Sequence, residues 1–300
     1  MSTVSLSHVC KAYDEFVAVN DLSFEVEPGR IYGLLGPNGA GKTSTIRMMI
    51  GITYPDSGEV RLFGEPFRRA HMRRIGYLPE ERGLYRKMKV IDQLVFLGEL
   101  KGLSAREATS RALSWCERME LKEWTGKKVE ELSKGMQQKV QFIGALLHDP
   151  DLIVLDEPFS GLDPGNAIEL KNVILELEKA GKTVILSTHR MDSAERLCDS
   201  ICLINHGKAV LQGDLREVKS RSGHSNVQIK YDGESQFLDD PALVSKSNNY
   251  GNYVEVRLVP GADPQALLHA ACARAQISRF EVMEPSLEEI FLEAVSRPNA

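Results

Sequence analysis

Apolar and polar residues alternate in short stretches over residues 4–24 and again over 59–63, the period-two pattern of half-buried strands, so this region reads as a small antiparallel sheet. The pattern changes after Pro28-Gly29. Residues 31–35 are almost wholly apolar, and a glycine-rich turn separates them from a helix-periodic stretch over 42–50. Two more buried strands read at 152–155 and 183–186, with a helical pattern over 166–180 between them. Strands that are apolar throughout are covered on both faces, and their alternation with helices implies an α/β domain built on a parallel sheet.

Between these elements lies a helical segment over residues 90–147. Ser104 and Glu107 have the spacing of a capping box, so one of its helices starts at Ser104 and runs towards Met119. Composition shifts near residues 219–226, where SRSGHSN reads as a linker. Beyond it, strands read at 227–231, 254–259 and 277–283, and helices at 265–275 and 287–295. The expected organisation is an α/β domain over 1–220, with a helical subdomain at about 85–148, and a small α+β domain over 226–300.

A net charge of −5 argues against a nucleic-acid surface, which needs a concentrated basic field. The cluster Arg68, Arg69, Arg73 and Arg74 reads as a solvated face. The five cysteines form no CxxC pair. Cys198 and Cys202, flanked by His189 and His206, fit no standard zinc spacing, and buried thiols in a reducing compartment are the plainer reading. No apolar run approaches bilayer length and the N-terminus MSTVSLSHVCK lacks an apolar signal core, so a cytoplasmic chain is expected, with any membrane role exerted through a partner.

The chemistry is concentrated in a few short strings. Gly36-Pro37-Asn38-Gly39-Ala40-Gly41-Lys42-Thr43 satisfies the phosphate-loop pattern between a strand and a helix. Its glycines let backbone amides surround a β-phosphate, Lys42 reaches the β- and γ-oxygens, and the Thr43 hydroxyl suits magnesium. LIVLDEP places Asp156 where a buried strand leaves the core, suited to the metal shell, and Glu157 next to it as general base. His189 closes the following strand in TVILSTH, placed to hold a γ-phosphate and an attacking water in line. Asp163-Pro164 has the form of a helix cap with proline in the first turn. A second helix start that suits phosphate, LSKGMQQKV, presents Ser133 and Gly135 far from the first.

In order, GPNGAGKT, YLPE, LSKGMQQ, LIVLDEP with SGLD, and STH resemble the ATP-binding subunits of ABC transporters over roughly the first 215 residues. The resemblance implies a P-loop NTPase core with a mixed sheet, an antiparallel β subdomain and a helical subdomain. It implies ATP and Mg2+ as ligands, contacted by Gly36, Asn38, Gly39, Gly41, Lys42, Thr43 and Ser44, with Thr43, Glu80 and Asp156 around the metal. It further implies a head-to-tail homodimer, in which Ser133, Gly135 and Gln137 meet the ATP held by the other copy and Asp163 communicates across the interface. Tyr13 matches the aromatic that stacks on adenine. Glu80 stands where the family usually has glutamine, and Lys134 and Met136 depart from the usual LSGGQ.

The stretch YLPEERGLYRKMKVIDQLVFLGELKGL and the closing PSLEEIFLEAV look like the branch of ABC-2-type exporters that carries an extra C-terminal domain. That branch implies integral-membrane permease subunits and attachment to the inner face of the membrane through them. Leu84, Tyr85, Met88 and Phe96 are candidates for the docking groove, or for internal packing. The rival reading is a soluble ABC ATPase acting in assembly or regulation without transport.

Overall fold

The structure is a computed structural model, and it describes residues 2–81, 83–221, 226–283 and 285–296. The chain divides into two compact units, Met1–Asp214 and Leu215–Ala300.

The first unit opens with β1 (Val4–Tyr13) and β2 (Phe16–Val26), an antiparallel pair in which Tyr13 lies opposite Phe16 across a tight turn. β3 (Ile31–Leu35) leads through the phosphate loop into α1 (Lys42–Met49). β4 (Ser57–Leu62) and the short β5 (Glu65–Pro66) complete an antiparallel sheet of order β2-β1-β4-β5. β6 (Ile75–Leu78) precedes three helices, α2 (Val90–Leu100), α3 (Ala105–Arg118) and α4 (Lys134–Leu146). Then follow β7 (Leu152–Asp156), α5 (Pro164–Lys179), β8 (Thr183–Thr188), α6 (Met191–Leu197), β9 (Ser200–Asn205) and β10 (Lys208–Asp214).

The main sheet runs β10-β9-β3-β8-β7-β6. Its strands from β9 to β6 are parallel, while the edge strand β10 is antiparallel to β9. That reversal makes the sheet mixed rather than purely parallel. It follows from the two-residue turn His206-Gly207, whose φ values of 46° and 77° give the hairpin geometry that a crossover helix would not allow. β3, β7 and β8 are buried at every residue, as strands covered on both faces must be. One apolar core joins the antiparallel sheet to α1 and the main sheet, with Leu22, Leu34, Ile46, Met49, Leu62, Val154 and Ile185 fully enclosed.

α3 starts where the capping box places it: Glu107 N donates to Ser104 Oγ at 3.3 Å and Ser104 N donates to Glu107 Oε2 at 3.1 Å. α4 is unusual for a helix of a layered domain, since ten of its thirteen residues are buried. Lys139 lies on it with its side chain 8% exposed, tied at 2.6 Å to Glu169 of α5, which fastens the helical subdomain to the sheet domain.

The second unit contains α7 (Leu215–Arg221), β11 (Asn226–Gly233), β12 (Val244–Asn249), β13 (Val254–Leu258), α8 (Pro264–Cys272), β14 (Ala275–Met283) and α9 (Leu287–Ser296). Its antiparallel sheet has the order β12-β13-β11-β14. Val227, Ile229, Phe237, Val254, Val256, Leu258, Leu267 and Ala271 form its core. The linker expected over 219–226 is corrected in part: residues 219–221 complete α7 and Asn226 opens β11, while 222–225 lie outside the described residues.

Candidate nucleotide site

β3 delivers the chain out of the core at Gly36, where the backbone has to pass tightly under β9. A Cβ at Gly36 would lie 2.1 Å from the Ile204 carbonyl oxygen, so a larger residue would force the loop off the sheet. Gly41, at φ 107°, caps α1, and a Cβ there would meet the Ala18 carbonyl oxygen at 2.3 Å. With these constraints the loop turns the free amides at the start of α1 into a cleft of about 380 Å³. Asn38, Gly39, Gly41, Lys42, Thr43, Ser44, Glu80, Glu157, Phe16 and Ala18 line it.

Lys42 is 6% exposed. Its ammonium donates to the carbonyl oxygens of Gly36 at 2.8 Å and Pro37 at 3.0 Å and stands 3.8 Å from Glu157 Oε1. Burial pulls its pKa below the usual lysine value, opposed by the charges of Glu157, Asp156 and Glu80. Three carboxylates facing one ammonium make an acidic cleft floor, which calls for a cation when a triphosphate enters.

β7 ends at Asp156, 1% exposed. Ser187 Oγ donates to Asp156 Oδ1, while Oδ2 is buried without a hydrogen-bond partner. Burial raises the Asp156 pKa, and hydrogen bonding by Ser187 and Thr43 works the other way. A buried, orphaned carboxylate oxygen beside the Thr43 hydroxyl is a fitting environment for a hard divalent ion. Among the described residues, no group of three His, Cys, Asp or Glu side chains converges as a metal site by itself. A cation here would therefore have to complete its shell with phosphate oxygens and water, as magnesium does in nucleotide sites.

Glu157 takes a left-handed backbone, φ 47°, immediately before Pro158. A non-glycine residue held there is strained by about 1–3 kcal/mol. The surroundings enforce it: Glu157 N donates to Ser187 O at 3.1 Å. The carboxylate accepts from His189 N at 2.9 Å and from Thr188 Oγ1 at 3.2 Å, and His189 Nδ1 lies 2.8 Å from Oε1. The two residues expected to carry the chemistry are thus in direct contact. With Nδ1 engaged, His189 keeps Nε2 for a ligand, and its side chain is 46% exposed.

The second helix start lies elsewhere. Ser133 caps α4, its Oγ accepting from Met136 N at 3.2 Å. Gly135 packs against the start of α5, where Asp163 is the N-cap residue and accepts from Asn166 N at 3.0 Å. A Cβ at Gly135 would lie 3.1 Å from Asn166 Nδ2 and 3.8 Å from Asp163 Oδ2. Ser133, Gly135, Gln137 and Asp163 do not line the phosphate cleft of their own chain. Gln137 directs its amide inward, donating to Val129 O at 3.2 Å and Leu132 O at 3.0 Å.

The hairpin tip carries two aromatic rings. Tyr13 is 40% exposed with the Lys11 ammonium 5.6 Å from its ring centre, whereas Phe16, 61% exposed, is the ring that lines the cleft. The signal for Phe16 was the hairpin itself, because its register brings residues 13 and 16 to the same tip.

A phosphate loop feeding a helix, an acidic strand end with a histidine one strand over, and a second anion-friendly helix start now stand on one fold. Residues 19–160 match the family model described as ABC transporter. A protein of Bacillus subtilis, the uncharacterized ABC transporter ATP-binding protein YhaQ, is 42% identical over 97% of this chain and 98% of its own length. The chain belongs to the ABC transporter ATP-binding family. Residues 213–295 match the model described as ATP-binding protein DrrA1-3-like, C-terminal domain, so the cassette carries the accessory domain of the ABC-2 exporter type. Nod factor export ATP-binding protein I of Burkholderia pseudomallei is 34% identical over 99% of this chain and 98% of its own. A solved ATP-binding subunit of an ABC transporter superposes with a TM-score of 0.68 at 31% identity, covering 74% of this chain and 94% of that one. A dimeric ATP-binding cassette in a post-hydrolysis state, bound to ADP and phosphate, shares the fold with a TM-score of 0.65 at 24% identity, covering 71% and 99%. This ABC cassette is therefore an α/β nucleotide-binding ATPase domain with a small C-terminal companion.

Proposed function

We propose that this cassette is the ATP-hydrolysing subunit of an ABC-2-type exporter, working as a head-to-tail homodimer that clamps two ATP molecules between its copies. One observation carries the reading. The cleft gathers Lys42, Thr43, Glu80 and Glu157, with His189 bonded to Glu157, a set suited to bind a triphosphate and activate water, yet Ser133 and Gly135 stand outside it, at a capped helix start suited to a phosphate of another copy.

In this scheme the amides at the start of α1 and Lys42 hold the β- and γ-phosphates, and the adenine stacks at the hairpin tip that carries Tyr13 and Phe16. Thr43, Asp156 and Glu80 would hold magnesium, which supplies positive charge to the phosphate oxygens when bound. Glu157 takes the proton of the attacking water. His189 keeps that carboxylate in place through Nδ1 and aligns the water and γ-phosphate through Nε2. The partner copy's signature helix closes over the same phosphate, so loss of the phosphate after hydrolysis releases the two halves.

Among the described residues no helix is long and apolar enough to cross a membrane, and the partner proposed for transport is an integral-membrane permease. Tyr85, 58% exposed and in edge contact with Phe96 at 5.8 Å, is proposed as the centre of the surface that meets it, holding the cassette at the inner face of the membrane. Nod factor export by a relative supports export as the direction. The test is ATP hydrolysis by the purified chain together with affinity isolation from detergent-solubilised membranes. Hydrolysis with a co-purifying multi-span protein is the expected result. Hydrolysis with only soluble partners would replace the exporter with an assembly or regulatory ATPase.

A further inference from the structure

Gln141 sits on α4 among the enclosed residues Val140, Phe142 and Ile143, and is itself only 6% exposed. An apolar side chain would fill this position with no desolvation penalty, so a buried amide here has to be explained by what it bonds. Gln141 Nε2 donates to Pro79 O at 3.2 Å and Glu81 O at 3.0 Å, while Oε1 is buried without a partner. The acceptors are the backbone carbonyls on either side of Glu80, the carboxylate that lines the phosphate cleft. Both need a donor, which fixes the amide with its nitrogen towards the loop. One turn earlier on the same helix, Gln138 Nε2 donates to Pro158 O at 3.2 Å, directly after Glu157.

We infer that Gln141 is a positioning residue that couples the Glu80 loop to the signature helix. It does not touch nucleotide. It holds the two carbonyls that bracket Glu80, so the carboxylate's place in the cleft follows the position of α4. The same rigid helix carries Ser133 at its start, about 12 Å away along the axis at 1.5 Å per residue. A shift of α4 when Ser133 meets a phosphate is thereby passed to Glu80, and a shift of Glu80 is passed back. This inference rests on the reading proposed above for the ligands that Glu80 and Ser133 face, and not for the bonds that tie Gln141 to residues 79 and 81.

The test uses the full chain with Gln141→Leu, and Gln141→Met as a second variant in case the first fails to fold. Without nucleotide, hydrogen exchange of the peptide covering residues 79–85 should rise about tenfold, the loss of a protecting contact, while β7 and α5 keep their protection. With ATP analogue, the magnesium concentration for half-maximal binding should rise about tenfold at unchanged affinity for the metal-free nucleotide. In a Glu80→Ala background the Gln141 substitution should change the magnesium requirement by less than about twofold, because residues acting through one another are not additive. Unchanged exchange of residues 79–85, or equal effects of the Gln141 substitution with and without Glu80, would overturn the inference. Failure of the functional reading shows separately, as wild-type protein that binds no ATP at all, and the exchange result still decides the role of Gln141.

Discussion

Replacing Glu157 with glutamine isolates the chemical role of one carboxylate, because the amide keeps the shape and one acceptor oxygen for His189 N, while the Thr188 hydroxyl, which donates to the other oxygen in the wild type, can accept from the new NH2. Two quantities change. The attraction between Glu157 Oε1 and Lys42 Nζ at 3.8 Å, about 4 kcal/mol at an effective dielectric of ~20, disappears. So does the repulsion between that carboxylate and an incoming γ-phosphate. The freed Lys42 retains its carbonyl contacts to Gly36 and Pro37 and turns its charge to the phosphate, so ATP affinity should hold or increase.

Turnover should move the other way. Without a base to accept the water's proton, kcat is expected to fall by about 10² to 10⁴, equivalent to about 2.7–5.4 kcal/mol on the barrier. Phosphate release at saturating magnesium-ATP measures it, and gel filtration of the same sample should show an ATP-dependent dimer that no longer reopens. A variant that binds ATP and hydrolyses it within threefold of wild type would refute the assignment of the base. Loss of ATP binding would refute the electrostatic argument instead, by showing that the Glu157 charge positions Lys42 and that the amide cannot.

Ser133→Arg puts a long cation at a helix start outside the chain's own cleft, so it should leave ATP binding by the monomer within twofold and abolish the dimer in the Glu157→Gln background; an intact dimer by gel filtration would remove the trans contact. Phe16→Ala should weaken ATP by about tenfold and leave inorganic triphosphate unaffected, since one base–aromatic stack is worth about 1–3 kcal/mol. The same comparison at Tyr13 shows which ring bears the adenine, and equal losses for ATP and triphosphate would exclude both. His148 supplies a pH dependence: burial, then the nearby Lys101 charge, lowers its pKa from 6.5 to about 4, and its buried Nδ1 has no acceptor. A depressed folded-state pKa means stability is complete above 6.5 and is lost as pH falls towards 4. After discounting for partial exposure the loss is about 2 kcal/mol, and His148→Gln should flatten the fall in Tm between those limits; an unchanged slope would contradict it.

How much of the fold was readable depended on whether side chains or backbone neighbours decided each element. β3, β7 and β8 are continuous apolar runs buried on both faces, so their own residues specify them. β12 reads VSKSNN and is exposed along nearly its whole length, with no alternation to detect. It is a strand because it pairs with β13, for instance Val244 with Leu258 and Asn249 with Val254. β10 is similar, an exposed edge whose existence is dictated by the His206-Gly207 turn after β9. The misread start of the linker has the opposite cause. Residues 219–221 are polar and resemble a loop, but they continue a helix begun at Leu215.

The same distinction explains which parts of the site could be seen in advance. Phosphate-loop glycines and the Asp156-Glu157 pair are legible because phosphate chemistry demands those residue types at fixed spacing. The glutamines of LSKGMQQKVQ are not, because their partners are carbonyls of distant loops, and any residue supplies a carbonyl. Gln137 bonds Val129 and Leu132, Gln138 bonds Pro158, and Gln141 bonds Pro79 and Glu81. At about 100° per residue the three amides leave the helix within one arc of about 100°, yet each is taken up by protein carbonyls on a different loop. Each fastens a loop to α4: the segment before Ser133, the turn after Glu157, and the loop around Glu80 that follows β6. On the reading proposed above, the phosphate-facing part of the signature is its first turn, at Ser133 and Gly135. The rest of the helix is the rigid member against which three functional loops are held, and that is why so polar a set of side chains is buried there.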